Sequence, residues 1–234
     1  MPDADGRALD LDSAGVYEIS VEAFESRSPP RRRLPSPQRA GEDAEAQQEG
    51  RPMRAFLAAL AAAVAMYAFG FVYWGAASFP YSPWLETRDD AAAQAALREH
   101  FPKSGVYYVP GNGNEPERRD QLFDTGPVGF VYLDVDGRPA FDPGIMVRGF
   151  LLNGVIAALL LWLFHVARVE PSHGARIGLA AVVALVFVVV VHLGDVVWWV
   201  LPVGWELSRA FYNFSTFVLA AAVLSAVLGT ARRE

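Results

Sequence analysis

The succession of polar and apolar stretches along the chain predicts a membrane protein with four helices. Residues 1–52 are predominantly polar, whereas four later runs are almost wholly apolar. About 20 consecutive apolar residues form a helix that crosses the hydrocarbon core of a bilayer, and each run reaches that length. We therefore predict transmembrane helices at residues 53–77, 149–168, 177–199 and 208–228, which together give an all-α membrane bundle.

The polar segment at residues 1–52 has a composition typical of disorder. It combines clustered charge with Pro29, Pro30 and a run of arginines at residues 31–33. A segment with few apolar residues cannot bury enough surface to offset the entropy of ordering. We expect this segment to be a disordered tail on the cytoplasmic side.

The segment between the first two apolar runs, residues 78–148, is called the insert here. It is polar enough to lie outside the membrane and patterned enough to fold. Thr87 and Asp90 are spaced as helix-capping residues. An apolar stripe of helical period follows them, formed by Ala93, Leu97 and Phe101. The sequence therefore predicts a helix over residues 91–100.

Strands are predicted after this helix, because strand-forming residues occur at 106–109 and 128–133. The turn dipeptide Asp136-Gly137 predicts a return strand near residues 140–141. We therefore expect a small extracytoplasmic α+β insert. Four acidic residues lie between the two predicted strands: Glu115, Glu117, Asp120 and Asp124. We expect them to form a solvated charged loop, and the alternative is a weak site for a divalent ion.

The basic residues nearest the apolar runs predict the orientation of the chain. They precede the first run, separate the second from the third, and follow the fourth: Arg39, Arg51, Arg54, Arg168, Arg176, Arg232 and Arg233. Short loops rich in arginine face the cytoplasm. Both termini are therefore expected in the cytoplasm and the insert in the periplasm. Five tryptophans cluster at this outer boundary, where amphipathic rings favour the headgroup layer: Trp74, Trp84, Trp198, Trp199 and Trp205.

Composition narrows the source and the partners. All but one of the 20 Lys and Arg residues are arginine, which is typical of a GC-rich bacterial genome. Together with the four apolar runs, this predicts a location in a bacterial inner (plasma) membrane. A formal net charge of −6 without a basic stripe argues against nucleic acid as a partner. The lipid bilayer is therefore the expected partner. The absence of cysteine excludes disulfides, iron–sulfur clusters and thiolate zinc sites.

Several short motifs resemble those of a group of uncharacterised bacterial four-helix integral membrane proteins. The first span ends in Tyr73-Trp74-Gly75-Ala76, and a helix at 91–100 leads to a Gly-x-Tyr-x-x-Pro-Gly element at 105–111. A Gly-Pro-x-Gly-Phe stretch at 126–130 and three further spans complete the resemblance, which covers about residues 53–228. The resemblance implies the same architecture and carries no established activity.

Ionisable residues near the outer ends of the last two spans are the main candidates for chemistry. His192 and Asp195 are spaced i, i+3, and Glu206 and Arg209 repeat that spacing at the start of the fourth span. Joining these helix ends would build an outer-interface polar cluster able to relay protons or clamp a ligand. The alternative is a set of interfacial anchors that pair with one another and with headgroups.

Other polar residues within the spans are expected to make hydrogen bonds between helices, namely Asn153, His165 and Asn213. His165 and His192 differ in depth by roughly 18 Å at 1.5 Å per residue, so they cannot share one haem iron. We predict no cofactor, no metal site and no catalytic residue.

Three functions remain open. The first is a non-enzymatic accessory protein whose insert contacts a partner or envelope component, within a membrane-protein complex or a homo-oligomer. The second is a small oligomeric transporter or proton-coupled permease, although the centres of the predicted spans lack Asp and Glu. The third is a membrane enzyme that acts on lipid or quinone, with His192 beside Asp195 or Glu206 as an acid–base pair.

Overall fold

The computed structural model describes residues 37–229, with side chains from Arg51 onward. Four helices are long and apolar enough to cross a membrane, which confirms the predicted architecture: span 1, Arg51–Ala76; span 2, Pro143–Val166; span 3, His173–Trp199; and span 4, Val203–Leu228. Most of the segment predicted to be a disordered tail lies outside the described residues, and the first described helix begins at Pro37.

The helices and strands follow one another in a simple order. Helix α1 (Pro37–Gly70) continues into a π-helical segment, Phe71–Ala76, that ends span 1. The insert holds a short 3₁₀ turn (Phe79–Tyr81), α2 (Asp90–His100), β1 (Gly105–Val109), α3 (Pro116–Thr125) and β2 (Gly129–Leu133). Span 2 is α4 (Pro143–Val166), span 3 comprises α5 (His173–Phe187), a π-helical segment (Val188–Leu193) and α6 (Gly194–Trp199), and span 4 is α7 (Val203–Leu228).

Local capping determines where spans 2 and 3 begin. The side chain of Asp142 accepts a hydrogen bond from the backbone N–H of Gly144, and Pro143 occupies the first helical turn. Span 2 therefore begins at Pro143, before the predicted residue 149, and Arg148 lies inside the helix with its guanidinium 3.4 Å from the Asp142 carboxylate. Ser172 caps span 3 in the same way by accepting from the N–H of Ala175.

All four spans contribute to one buried core, in which small side chains predominate. Spans 3 and 4 make the most extensive contact of any two elements. Small residues let helix backbones approach closely, and in lipid this packing replaces the hydrophobic drive that water would supply. The buried set is Ala58, Ala62, Met66, Ala157, Leu160, Phe164, Ala180, Ala220, Ala221 and Leu224.

The insert has the predicted mixture of helix and strand but differs from the prediction in two places. Its two strands pair antiparallel, with Val106 opposite Tyr132 and Tyr108 opposite Phe130. The predicted charged loop between them is wrong, because residues 116–125 form α3 with Pro116 in its first turn. The predicted return strand is also wrong: residues 140–141 are not in a strand, and the chain there leads directly to the cap of span 2.

Aromatic contacts hold the insert against the ends of the spans. The rings of Tyr108 and Phe130 lie 6.4 and 5.0 Å from that of Trp199 at the end of span 3. At the junction with span 1, the rings of Trp74 and Trp84 lie 5.9 and 5.6 Å from that of Trp205. Such pairs favour edge-to-face or offset arrangements and add stability beyond the area they bury.

Replacing Leu224 with Ala should destabilise the bundle. Leu224 is fully buried in the core, and the cavity left by Leu→Ala costs about 2 kcal/mol or more in well-packed proteins. The matched control is Leu152→Ala, because Leu152 is mostly exposed on span 2 and lipid can fill the space. The measurement is the unfolding free energy in mixed micelles. Equal losses in the two variants would contradict the assignment of the core.

Candidate functional site

A three-residue connection joins spans 3 and 4 and brings their polar residues together. Only Val200, Leu201 and Pro202 separate α6 from α7. Val200 has a left-handed backbone (φ 55°), and the N–H of Leu201 donates to the carbonyl of Asp195. Span 4 therefore starts at Val203 rather than at the predicted residue 208. The tight turn faces the last residues of span 3 with the first turns of span 4.

The four residues of the predicted polar cluster meet at this turn. Nδ1 of His192 donates to Oε2 of Glu206 at 2.7 Å. Nη1 of Arg209 donates to Oε1 of the same carboxylate at 2.7 Å and lies 3.7 Å from Oδ2 of Asp195. Glu206 is thus the centre of the cluster, since each of its oxygens has a cationic or imidazole partner.

His192 pairs across the helices instead of along its own. The i, i+3 spacing predicted a His192–Asp195 pair, but His192 lies in the π-helical segment Val188–Leu193. A π-helical turn contains one extra residue and changes the direction in which the following side chains point. The side chain of His192 therefore points to Glu206, and Asp195 forms an ion pair with Arg209 instead.

Asn213 extends the cluster farther into the bundle. Its Nδ2 donates to Nε2 of His192 at 2.8 Å, so both ring nitrogens of His192 have a partner. We call Asp195, Arg209, Glu206, His192 and Asn213 the outer network, where 'outer' means the end of the bundle that carries the insert. The sequence carried a signal for this fifth member, because residues 206, 209 and 213 lie on one face of a helix.

Burial increases within the outer network from Asp195 and Arg209 to His192 and Glu206. The side chains of Arg209 and Asp195 are 34% and 27% exposed, whereas His192 and Glu206 are each 2% exposed. Among the side chains that the structure describes, no buried nitrogen or oxygen lacks a hydrogen-bond partner. Charge in a dry region is costly unless it is paired and hydrogen-bonded, and here the pairing is complete. Arg209 and Asp195 form the more exposed end of the network.

The outer network ends near the middle of span 4. At about 1.5 Å per residue, Glu206 lies about 5 Å and Asn213 about 15 Å along α7. One turn farther, the hydroxyl of Thr216 donates to the carbonyl of Tyr212 in its own helix. The next buried residues, Ala220, Ala221 and Leu224, offer no polar side chain, and the buried Ser225 beyond them hydrogen-bonds to His173 at the far end of the bundle. The chain of polar side chains from Asp195 to Asn213, called the polar path below, therefore ends about halfway across a hydrocarbon core of about 30 Å.

The remaining polar residues predicted within the spans do not join this network. His165 is exposed near the end of α4, and Asn153 is half-buried on the same helix. Within residues 51–229, neither side chain makes a hydrogen bond. In the same range, no group of three or more His, Asp or Glu side chains is arranged to hold a metal ion.

A hydroxyl link that the sequence did not indicate supports the outer end of span 4. The Tyr73 hydroxyl donates to the carbonyl of Ser208 at 2.8 Å, and the Ser208 hydroxyl donates to the carbonyl of Pro80 at 3.1 Å. Beside it lies an open, mostly apolar cavity of about 320 Å³ lined by residues that include Phe79, Leu207 and Phe211. None of the lining residues belongs to the outer network, so the cavity is not a path to His192.

The four membrane-length helices define a multi-pass membrane protein. The chain matches no protein-family model, no curated protein and no solved structure. The resemblance described above therefore rests on its short motifs alone. Any functional inference has to come from the geometry of the outer network and of the insert.

Replacing Glu206 with Gln should destabilise the protein far more than Asp195→Asn. Glu206→Gln removes the buried charge shared by His192 and Arg209, and breaking a buried pair costs about 3 kcal/mol. Asp195 interacts with Arg209 at 3.7 Å where both are partly exposed, and such pairs contribute about 0–1 kcal/mol. The measurement is the unfolding free energy in mixed micelles. Similar losses would show that Glu206 is not the centre of the network.

Proposed function

We propose that the chain is a non-enzymatic accessory protein of a bacterial inner membrane whose insert, on the periplasmic side, contacts a partner protein. The observation that carries the proposal is an uncovered aromatic face on the insert. Val106 is 61% and Tyr132 is 71% exposed, although they lie directly opposite each other in the sheet. Exposed apolar groups on a folded surface mark interaction sites when they are contiguous.

The geometry of the sheet makes this face continuous. Alternate residues of a strand share a face, so Val106 and Tyr108 lie together, as do Phe130 and Tyr132. Tyr108 and Phe130 cover Trp199. Val106 and Tyr132 extend the same face outward and are left uncovered.

The strand edges favour a protein as the occupant. Within the described residues the sheet has two strands, so each strand has one edge without a strand partner. A free edge presents backbone N–H and C=O groups to which an extended segment of another protein can add. Lipid tails cannot form those hydrogen bonds.

The orientation in this proposal rests on the arginines. Arg54 lies near the start of span 1, Arg168 follows span 2, and Arg176 lies near the start of span 3. The first, second and third spans place these positions on one side of the membrane. The positive-inside tendency assigns that side to the cytoplasm and leaves the insert in the periplasm.

A photoreactive amino acid at position 132 should cross-link the chain to a second protein in the native host. The control position is Arg118, which is exposed on α3. Mass spectrometry of the cross-linked product identifies the partner, which should be a protein with a periplasmic segment. Cross-linking to lipid alone, to a cytoplasmic protein, or equally from both positions would contradict the proposal.

The outer network supports a second candidate function, proton-coupled transport by an oligomer. His192 can exchange a proton with Glu206 through their 2.7 Å hydrogen bond. The amide of Asn213 suits both forms of the ring, because its Nδ2 donates to an unprotonated Nε2 and, once rotated, its Oδ1 accepts from a protonated one. Since the polar path stops halfway, transport would require a second copy of the chain to complete it.

His192→Gln should lower proton flux at least tenfold if this second function holds. The chain is reconstituted in liposomes that contain a pH-sensitive dye, and flux is compared with that of empty liposomes. His165→Gln is the matched control, because His165 is exposed and outside the outer network. The absence of flux from the unchanged chain, or an equal loss in the control, would reject proton-coupled transport.

The third function, an enzyme that acts on lipid or quinone, requires His192 to reach a substrate. The distance of 2.7 Å between Nδ1 of His192 and the Glu206 carboxylate suits an acid–base pair. However, the residue is 2% exposed and Asn213 engages its other nitrogen. The outer network would have to open before a substrate could bind, and this makes the enzyme the weakest of the three proposals.

A further inference from the structure

Two arginines meet at the end of the bundle opposite the outer network. Arg54 of span 1 donates from Nε to the carbonyl of Val227 at 2.9 Å. Arg176 of span 3 donates from Nη1 to the carbonyl of Gly229 at 2.8 Å. Both bonds end on carbonyls at the C-terminal end of span 4, where cationic groups complement the helix dipole. We call Arg54 and Arg176 the arginine pair.

These bonds leave most of the donors of the arginine pair unused. A guanidinium group carries five N–H donors in a plane. The two bonds use Nε of Arg54 and Nη1 of Arg176, so both Nη groups of Arg54 and the Nε and Nη2 groups of Arg176 are not engaged by the helix end. Nη1 of Arg176 also lies 3.5 Å from the Ser225 hydroxyl.

The arginine pair concentrates positive charge. Nη2 of Arg54 lies against the α-carbon of Gly229, whose carbonyl accepts from Arg176, so the two positive charges are close and repel each other. Over residues 51–229, neither arginine forms a salt bridge, because every ion pair in that range involves other residues. His173, exposed in the same turn as Arg176, hydrogen-bonds to Ser225. A bound anion would relieve the repulsion and occupy the donors that the described residues leave unengaged.

The location favours a lipid phosphate as that anion. Arg54 and Arg176 lie in the first turns of span 1 and span 3, and Gly229 directly follows the end of span 4. These positions are at the boundary between hydrocarbon and headgroups. Arg54 is exposed and Arg176 is half-buried between the helices, so a headgroup can approach from the bilayer. Basic pockets between transmembrane helices bind anionic headgroups in this way.

We infer that the arginine pair binds the phosphate of an anionic membrane lipid. The planar guanidinium fork matches the tetrahedral oxygens of phosphate, which a point charge does less specifically. A lipid with a net negative charge is preferred over a zwitterionic one, because the site itself carries two positive charges without an acidic partner among the described residues. The bound lipid would link the starts of spans 1 and 3 to the end of span 4.

The test is a lipid titration of the full chain in detergent, read by native mass spectrometry. Phosphatidylglycerol and phosphatidylcholine are compared in a buffer of high ionic strength, which screens diffuse attraction more than contact. The unchanged chain should prefer phosphatidylglycerol, and Arg54→Gln/Arg176→Gln should weaken its binding at least tenfold, since both charge-assisted sets of hydrogen bonds to the phosphate are lost.

The matched control is Arg51→Gln/Arg168→Gln, which removes the same charge from exposed positions on the same side of the membrane. It should change the affinity less than about twofold under these screened conditions. Arg54→Lys/Arg176→Lys keeps the charge but loses the fork, so an intermediate loss is expected. This variant decides the matter if the Gln variant fails to fold, as judged by circular dichroism.

Three results would overturn the inference. One is the absence of a preference for phosphatidylglycerol in the unchanged chain. Another is an equal loss of binding in Arg51→Gln/Arg168→Gln, which would indicate diffuse attraction rather than a site. The third is displacement of the lipid by an equal concentration of inorganic phosphate, which would assign the site to a free anion.

Discussion

A carboxylate buried between membrane helices has to be neutralised where it lies, and Glu206 meets this requirement with partners from two helices. His192 reaches one oxygen from span 3, and Arg209 reaches the other from the next turn of span 4. Asp195 and Asn213 add the remaining contacts of these two partners: Asp195 pairs with Arg209, and Asn213 hydrogen-bonds to His192. The outer half of spans 3 and 4 is therefore specified by charge and hydrogen bonding as much as by shape.

The two ends of the bundle satisfy their polar groups in different ways. At the outer end, acidic and basic side chains form ion pairs and hydrogen bonds with one another inside the protein. At the other end, Arg54 and Arg176 bind backbone carbonyls and keep their net charge. Between them the core contains alanine, leucine and a buried methionine, whose close packing holds the helices together without polar contacts. The chain thus has one end where acidic and basic side chains pair with one another and one cationic end.

The sequence was sufficient to predict the four spans, since length and hydropathy alone decide which segments can cross a bilayer. The helix ends were harder. The predicted start of span 2 at residue 149 excluded Arg148, yet Arg148 lies inside α4 and reaches back to Asp142. Helix α3 was missed because its residues are too polar to show an apolar period. The four members of the predicted cluster do meet, but their pairing depends on a π-helical turn at His192, and hydrophobic periodicity does not reveal such a turn.

The short turn at Val200, Leu201 and Pro202 has a consequence for how the protein enters the bilayer. Spans 3 and 4 form a helical hairpin whose charged groups are complementary within the hairpin itself. Such a hairpin can leave the aqueous phase as one body with its ionic groups already matched, so the cost of transferring Glu206 or Arg209 alone never arises. Transfer of the two spans together is therefore less costly than transfer of either span alone.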